Sequence, residues 1–208
     1  MSVKEIFEGV LTFNGEVVKS KVAQEIEAGT DVDIILNEGL IGAMDEVGAR
    51  FSSGDFFVPE MLIASQVMQQ GLEVLKPHLS AGAAEAKGTV VIGTVKGDLH
   101  DIGKNLVAMM LEGAGFNVID LGVDVVPEAF LEAAKEKGAK VVALSALLTT
   151  TMPAMSETVK IFKEAGSASK VIIGGAPISS DFAKQIGADG FSASAPGAVE
   201  MTRSLMAA

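Results

Sequence analysis

The chain has 208 residues, of which 49% are hydrophobic and 21% charged, and its formal net charge at pH 7 is -11. This charge argues against a nucleic-acid partner, because phosphate contacts need a basic surface, and the absence of Cys excludes disulfides and thiolate sites. We expect a cytoplasmic protein outside the membrane, because the N-terminus lacks a signal-peptide pattern and no apolar run approaches the roughly 20 residues that span a bilayer.

Residues 1–79 show the apolar periodicity of helices. In the second of four such segments, Val18, Val22 and Ile26 recur at helical spacing. Asp31 is expected to cap the third helix, and Pro59 lies in the first turn of the fourth. Because the connecting loops are short, the pattern predicts a domain built as a four-helix bundle.

Residues 80–88 are small and polar without periodicity, and they are predicted to be a linker. From residue 89 to residue 208 strands and helices alternate, beginning with the buried run "TVVIGTV". Asp124 and Glu128 are expected to mark the start of one of these helices. The alternation predicts an α/β domain with a flavodoxin-like or Rossmann-like sheet of five parallel strands in the order 2-1-3-4-5.

The loops that follow the strands contain the unusual residues of this domain. Open parallel sheets bind ligands beyond the carboxyl ends of their strands, where the strand order reverses. Asp98 and His100 follow the first strand in "KGDLHDIG", and Ser145 and Thr151 follow the third. We expect these side chains to converge there, beside the glycine pair of "VIIGGA".

Several ligand classes fit this position poorly. A flavin is usually held between aromatic rings, but the chain has no Trp or Tyr. The first loop lacks the glycine patterns that bind dinucleotides and nucleoside triphosphates. A phospho-acceptor domain would need an acidic pair after the first strand and a lysine late in the sheet, and neither is present.

A metal ligand is the remaining interpretation of His100. A metal-binding imidazole usually donates its second ring N–H to a carboxylate, which Asp98 could provide. No second His lies nearby, so the metal is expected to arrive with most of its coordination filled by a macrocycle. The small residues Ser145 and Ala146, with 174–176, would leave a slot for a cofactor with a tail.

The chain resembles a known family at these residues. "DLHDIG" matches the cobalamin-binding motif D-x-H-x-x-G, "SALLTTT" resembles the family's S-x-L element, and "GG" resembles its third element. The order and spacing of the three elements resemble corrinoid proteins of methyltransferase systems, which act on methanol, methylamines or methyl ethers, and the cobalamin-binding module of methionine synthase. Residues 1–79 resemble the helical cap of these proteins.

The resemblance implies a role for individual residues. His100 would be the lower ligand of cobalt, Asp98 would hydrogen-bond His100, and Thr151 would supply the hydroxyl that methionine synthase takes from Ser. Phe57 and Met61 would cover the upper face of the corrin. Further cofactor contacts are implied for Leu99, Asp101, Ile102, Gly103, Ser145, Leu147, Thr149, Gly174, Gly175, Ala176, Ala188, Asp189 and Ala195.

The function implied by the resemblance is methyl transfer on cobalamin or a related corrinoid. Co(I) would accept a methyl group from a methyl ether such as a methoxylated aromatic, from a methylamine or from methanol, through a substrate-specific methyltransferase. A second methyltransferase would pass it to tetrahydrofolate or coenzyme M, and a reductive activation protein would be a further partner. The O-demethylase type is favoured, and the chain alone is expected to have no activity.

Alternative functions remain open at this point. A cobalamin-dependent mutase subunit shares D-x-H-x-x-G but normally lacks the helical half. A cobalamin-sensing regulator has a helical half but usually adds a basic DNA-binding domain. Storage of cobalamin is a further alternative.

Overall fold

The computed structural model describes residues 2–78 and 87–207. Residues 80–86 of the predicted linker lie outside the described residues. Two compact units divide the described chain: the first holds residues 2–78 with Gly113–Gly115, and the second holds residues 87–112 and 116–207.

The first unit is helical. Its elements are α1 (Ser2–Leu11), α2 (Gly15–Glu27), α3 (Val32–Ile34), a π-helical segment (Ile35–Ile41), α4 (Gly42–Ser53), α5 (Val58–Leu75) and a 3-10 turn (Lys76–His78). Helix α2 packs against α1 and α5, and buried Ile6, Val18 and Met68 lie in the core. The predicted helical region is therefore confirmed.

The third predicted helix is continuous from α3 to α4 but not uniform. It begins as predicted, because the Asp31 carboxylate accepts a hydrogen bond from the Asp33 N–H at 2.9 Å. The next seven residues form the π-helical segment, in which Leu40 and Ile41 are buried. The wider turn shifts the buried face, which a periodicity of 3.6 residues does not predict.

The second unit is a parallel sheet with connecting helices. Its strands are β1 (Thr89–Thr94), β2 (Asn117–Asp120), β3 (Val141–Ser145), β4 (Lys170–Gly174) and β5 (Gly190–Ser192). Its helices are α6 (Ile102–Gly113), α7 (Pro127–Lys137), α8 (Met152–Glu164), α9 (Ser180–Ile186) and α10 (Ala195–Ala207). The order β2-β1-β3-β4-β5 confirms the predicted α/β topology.

The register of the sheet aligns four strand ends. Thr94 pairs with Ser145, Ser145 with Gly174, and Gly174 with Ser192. The central strands are buried along most of their length, which explains their continuous apolar sequences. The loops that follow β1, β3 and β4 therefore leave the sheet at one edge, side by side.

Among the helices of residues 2–78 and 87–207, none combines the length and apolar character needed to cross a bilayer. One predicted helix start is correct only in part: Glu128 lies in the first turn of α7, whereas Asp124 precedes that helix. The cap position of α7 is occupied by Val126, and the Asp124 carboxylate accepts a hydrogen bond from the loop after β1 instead.

Candidate cofactor site

The loop after β1 is folded tightly against the end of its own strand. Gly97 adopts φ +83°, and the Asp98 N–H donates to the carbonyl of Val95 at 3.1 Å. The hydroxyl of Thr94, which is fully buried, donates to the carbonyl of His100 at 2.9 Å. These bonds fix the backbone on both sides of Asp98.

The Asp98 carboxylate is fully buried and accepts five hydrogen bonds. Oδ2 accepts from the N–H groups of Leu147 and Leu148, at 2.8 and 3.3 Å, and from the Thr151 hydroxyl at 2.7 Å. Oδ1 accepts from the backbone N–H of His100 at 3.1 Å and lies 2.7 Å from its ring Nδ1. The loop after β3 thus supplies two backbone N–H groups that hold the Asp98 carboxylate through Oδ2, the oxygen that does not contact His100.

These hydrogen bonds decide the charge of Asp98. Burial by itself raises the pKa of the carboxyl, but the bonds from Leu147, Thr151 and His100 outweigh it and hold the pKa well below its usual range. The buried carboxyl group is therefore ionised at neutral pH. An ionised carboxylate can only accept hydrogen bonds, so each of its neighbours must donate.

His100 presents its other ring nitrogen away from this carboxylate. Because Asp98 only accepts, Nδ1 carries a proton, and in the neutral imidazole Nε2 is then the nitrogen with the lone pair. The side chain is 50% exposed although its partner is fully buried. In this arrangement a carboxylate orients the imidazole through Nδ1, and Nε2 is the ring atom on which a metal could be held.

Thr151 lies at the cap position of α8 but does not cap it. No side-chain bond closes the helix end; the hydroxyl instead contacts Asp98 and lies 2.8 Å from the carbonyl of Leu148. Thr151 is 7% exposed, so this hydroxyl is turned inward. The structure therefore brings Thr151, Asp98 and His100 into one chain of hydrogen bonds.

Exposed apolar side chains border the imidazole loop and its neighbours. In the described part of the second unit, the exposed large apolar residues all lie after β1, β2 or β3. They are Leu99, Ile102, Val123, Val126, Leu147 and Leu148. Leu99 is 71% exposed and Ile102 82% exposed. Clustered apolar exposure of this kind marks a binding surface, and it fits a broad, largely apolar ring system seated over His100.

The glycines of the site divide into two kinds. A Cβ at Gly103 would meet no atom within 4 Å, so the fold itself does not require glycine there. The open space suits close approach of a cofactor. Gly175 differs, because its φ is +130° and a Cβ would overlap the carbonyl oxygen of Ala146. A Cβ at Gly174 would lie 3.0 Å from the Ser192 carbonyl oxygen, so the packing of strand ends accounts for both glycines.

Other predicted site residues lie at this edge with fewer contacts. Asp101 is exposed, and its carboxylate accepts from the Asn105 amide at 3.1 Å. Thr149 and Ala176 are exposed in the loops after β3 and β4, and Ala195 is buried where α10 begins.

The structure does not bring all predicted residues together. Asp189 accepts from the Val171 N–H at 2.8 Å and pairs with Lys170, so it lies with neighbouring Ala188 at the amino ends of β4 and β5. This is the edge opposite His100. In the first unit, Phe57 is 65% exposed whereas Met61 is buried.

The sequence did not predict several residues that lie near His100 at the carboxyl ends of the strands or at the start of α6. Thr94, Leu148 and Val123 were not predicted, nor was the pair formed by buried Lys104 and Asp120. Thr94 and Asp120 are the last residues of β1 and β2, and that position was the available signal for them. Backbone donors such as that of Leu148 leave no mark in the residue pattern.

Family comparisons agree with this geometry. Two models described as a B12 binding domain match residues 3–76 and 88–200. Trimethylamine corrinoid protein 1 of Methanosarcina acetivorans is 40% identical over 203 residues, covering 96% of this chain and 94% of that protein. The fold and these matches thus define a corrinoid-binding protein with a Rossmann-like sheet.

Solved structures resemble the chain over nearly its whole length. One is a chain of the methanol:cobalamin methyltransferase complex MtaBC from Methanosarcina barkeri, with TM-score 0.88, 30% identity and coverage of 99% of this chain and 80% of that one. Another is a cobalamin-binding protein from Desulfitobacterium hafniense, with TM-score 0.81, 32% identity and 98% coverage of both chains. The chain belongs to the B12-binding family, among the corrinoid proteins of methyltransferase systems.

Proposed function

We propose that this protein carries methyl groups on a corrinoid whose cobalt is bound by Nε2 of His100. The observation that supports this best is the half-exposed imidazole, held through Nδ1 by the buried Asp98 carboxylate and bordered by exposed apolar side chains. When bound, the corrinoid supplies a cobalt that takes up and gives up a methyl group.

The residues of the chain have separate tasks in this proposal. Asp98 keeps the ring proton on Nδ1, so that Nε2 remains the atom that faces the metal. The N–H groups of Leu147 and Leu148, with the Thr151 hydroxyl, hold Asp98 in place. Leu99 and Ile102 offer apolar surface to the ring system and limit the access of water.

The methyl donor is proposed to be a small methylated compound delivered by a substrate-specific methyltransferase. The relatives named for trimethylamine and for methanol favour a methylamine or methanol over a methoxylated aromatic. A second methyltransferase using tetrahydrofolate or coenzyme M, a reductive activation protein and a cytoplasmic location complete the proposal. The mutase and regulator alternatives are not favoured, because the similarity to corrinoid proteins extends over both units.

Reconstitution with hydroxocobalamin tests the site. We expect stoichiometric binding and a Co(II) EPR signal split by one axial nitrogen, which His100→Ala abolishes. His78→Ala is the matched control, because it removes the other histidine from a 3-10 turn of the first unit. Failure of the wild-type chain to retain corrinoid, or an unchanged signal in His100→Ala, would contradict the proposal.

The donor is tested with the loaded protein and purified substrate-specific methyltransferases. Trimethylamine, methanol and a methoxylated aromatic are offered in turn, and the visible spectrum of the corrinoid is followed. A spectral change with a methylamine or methanol is expected. A change with the methoxylated aromatic alone would overturn the proposed donor class while leaving the carrier function intact.

A further inference from the structure

Asp124 has a backbone conformation that few side chains adopt. Its φ is +54°, and in the described part of the chain only Phe13 shares a positive φ among residues other than glycine. Asp and Asn tolerate this region better than other side chains, but it remains an uncommon choice. Strained backbone of this kind persists where surrounding contacts enforce it.

The contacts of Asp124 point to the loop that contains His100. Oδ1 accepts a hydrogen bond from the Gly97 N–H at 2.7 Å, and the Asp124 N–H donates to the Asp98 carbonyl at 3.0 Å. Asp124 therefore bonds to the two peptide groups that flank the Gly97–Asp98 unit, through the Gly97 N–H on one side and the Asp98 carbonyl on the other. The two segments are 27 residues apart in sequence.

Neighbouring backbone bonds hold Asp124 in register with this loop. The Thr94 N–H donates to the Gly122 carbonyl at 2.9 Å, and the Val125 N–H donates to the Thr94 carbonyl at 3.0 Å. Val95 and Val125 form a parallel bridge beyond the end of β1. The segment after β2 thus runs alongside the turn that ends at Asp98.

An ordinary helix-capping role does not explain Asp124. The cap position of α7 is Val126, two residues later, and no side-chain bond caps that helix. The Asp124 carboxylate points back to Gly97 instead. The 2.7 Å between the Gly97 nitrogen and the Asp124 carboxylate oxygen is at the short end of the range for an N–H···O hydrogen bond.

We propose that Asp124 is a positioning residue for the cobalt ligand, acting through the Gly97 N–H and the Asp98 carbonyl on the direction in which Asp98 holds His100. Asp98 has its side chain fixed by the loop after β3 and its backbone fixed by Asp124. Loss of the Asp124 carboxylate frees the Gly97 N–H, and the angle at which His100 presents Nε2 becomes less defined. This inference rests on the proposed role of His100 as the cobalt ligand.

Three variants separate this role from general stability. Asp124→Gly removes the acceptor while tolerating φ +54°, so it is expected to fold. Asp124→Asn keeps both the acceptor oxygen and the tolerance for this conformation. Glu128→Gln is the matched control, because it removes one negative charge from the first turn of α7.

The first measurement uses the corrinoid-free full chain. We expect the Gly97 amide to exchange with solvent at least about tenfold faster in Asp124→Gly, and the His100 ring resonances to shift or broaden in nitrogen-15 NMR spectra. Asp124→Asn and Glu128→Gln should stay close to the wild type. Unchanged His100 resonances in Asp124→Gly would overturn the inference, even if the melting temperature falls.

The second measurement uses hydroxocobalamin and the Co(II) EPR signal. Residues that orient a metal ligand typically change metal affinity by about 10- to 100-fold, so we expect at least a tenfold higher Kd and an altered nitrogen splitting for Asp124→Gly. Asp124→Asn should restore both within about twofold. Equal weakening by Glu128→Gln would overturn the inference in favour of a general charge effect. If the wild-type chain bound no corrinoid, the proposed function would fail. The NMR measurements on the corrinoid-free chain would still test whether Asp124 positions His100.

Discussion

The hydroxyl oxygen of Thr151 lies 2.7 Å from Oδ2 of Asp98, although 53 residues separate them in the chain. Thr151→Val keeps the shape of the side chain but removes this donor. We expect it to lower the free energy of unfolding by about 1–2 kcal/mol, because a buried charged acceptor loses a partner. Thr151→Ser keeps the hydroxyl and should lower the free energy of unfolding by less than about half of that amount. Urea denaturation of the corrinoid-free chain gives both values. Equal free energies of unfolding for Thr151→Val and the wild type would contradict the expectation.

Asp98→Asn alters the centre of the same hydrogen-bond chain. An amide has one acceptor oxygen, whereas the carboxylate receives five donors, so the amide NH2 group must face other N–H groups. We expect a loss of about 2–3 kcal/mol in the free energy of unfolding and a changed axial-nitrogen EPR signal. Asp181→Asn, whose side chain is 96% exposed, serves as the control. A wild-type spectrum in Asp98→Asn would show that the carboxylate does not orient His100.

Two glycine substitutions are expected to have opposite effects. Gly103→Ala places a methyl group in open space near the start of α6, so the corrinoid-free protein should be as stable as wild type or more stable by up to about 1 kcal/mol. Its Kd for hydroxocobalamin should rise. Gly175→Ala should destabilise by about 1–3 kcal/mol, because φ is +130° and Ala146 blocks the methyl group. Unimpaired corrinoid binding by Gly103→Ala would argue against close approach of the corrin there.

Glu112 provides a pH-dependent test of the second unit. Burial, and next the negative charge of Asp120, raise the pKa of Glu112 above its ordinary value of 4.5. The folded state therefore disfavours the ionised form, and this contribution to stability is complete below pH 4.5 and is lost as pH rises through the raised pKa. Glu112→Gln should thus be slightly more stable than wild type at pH 7 and no more stable at pH 4. Thermal melts at the two pH values test this, and an identical difference at both would contradict the assigned cause.

The sequence predicted the fold well because the two units have different apolar periods. Continuous β-branched runs predicted the buried strands, and their alternation with helices predicted the strand order. The π-helical segment Ile35–Ile41 was not predicted, because it arises from packing and carries no periodicity of its own.

The motif located the centre of the candidate site but not its surroundings. Asp98, His100 and Thr151 were expected together, and the structure brings them together. Asp124 was assigned to a helix start, since a positive φ and a bond to Gly97 depend on how the loops after β1 and β2 meet. Asp189 was placed at the wrong edge, although the direction of a parallel strand puts residues that precede β5 at its amino end.

The donors to Asp98 also determine when the site can exist during synthesis of the chain. Leu147, Leu148 and Thr151 follow Asp98 by 49, 50 and 53 residues, and they reach it only after β3 has paired with β1. A ribosome-bound chain that has emerged only as far as α6 holds His100 but none of these donors. Cofactor loading must therefore follow translation of at least β3 and the start of α8. Measuring corrinoid retention by nascent chains of increasing length would show at which length β3 pairs with β1.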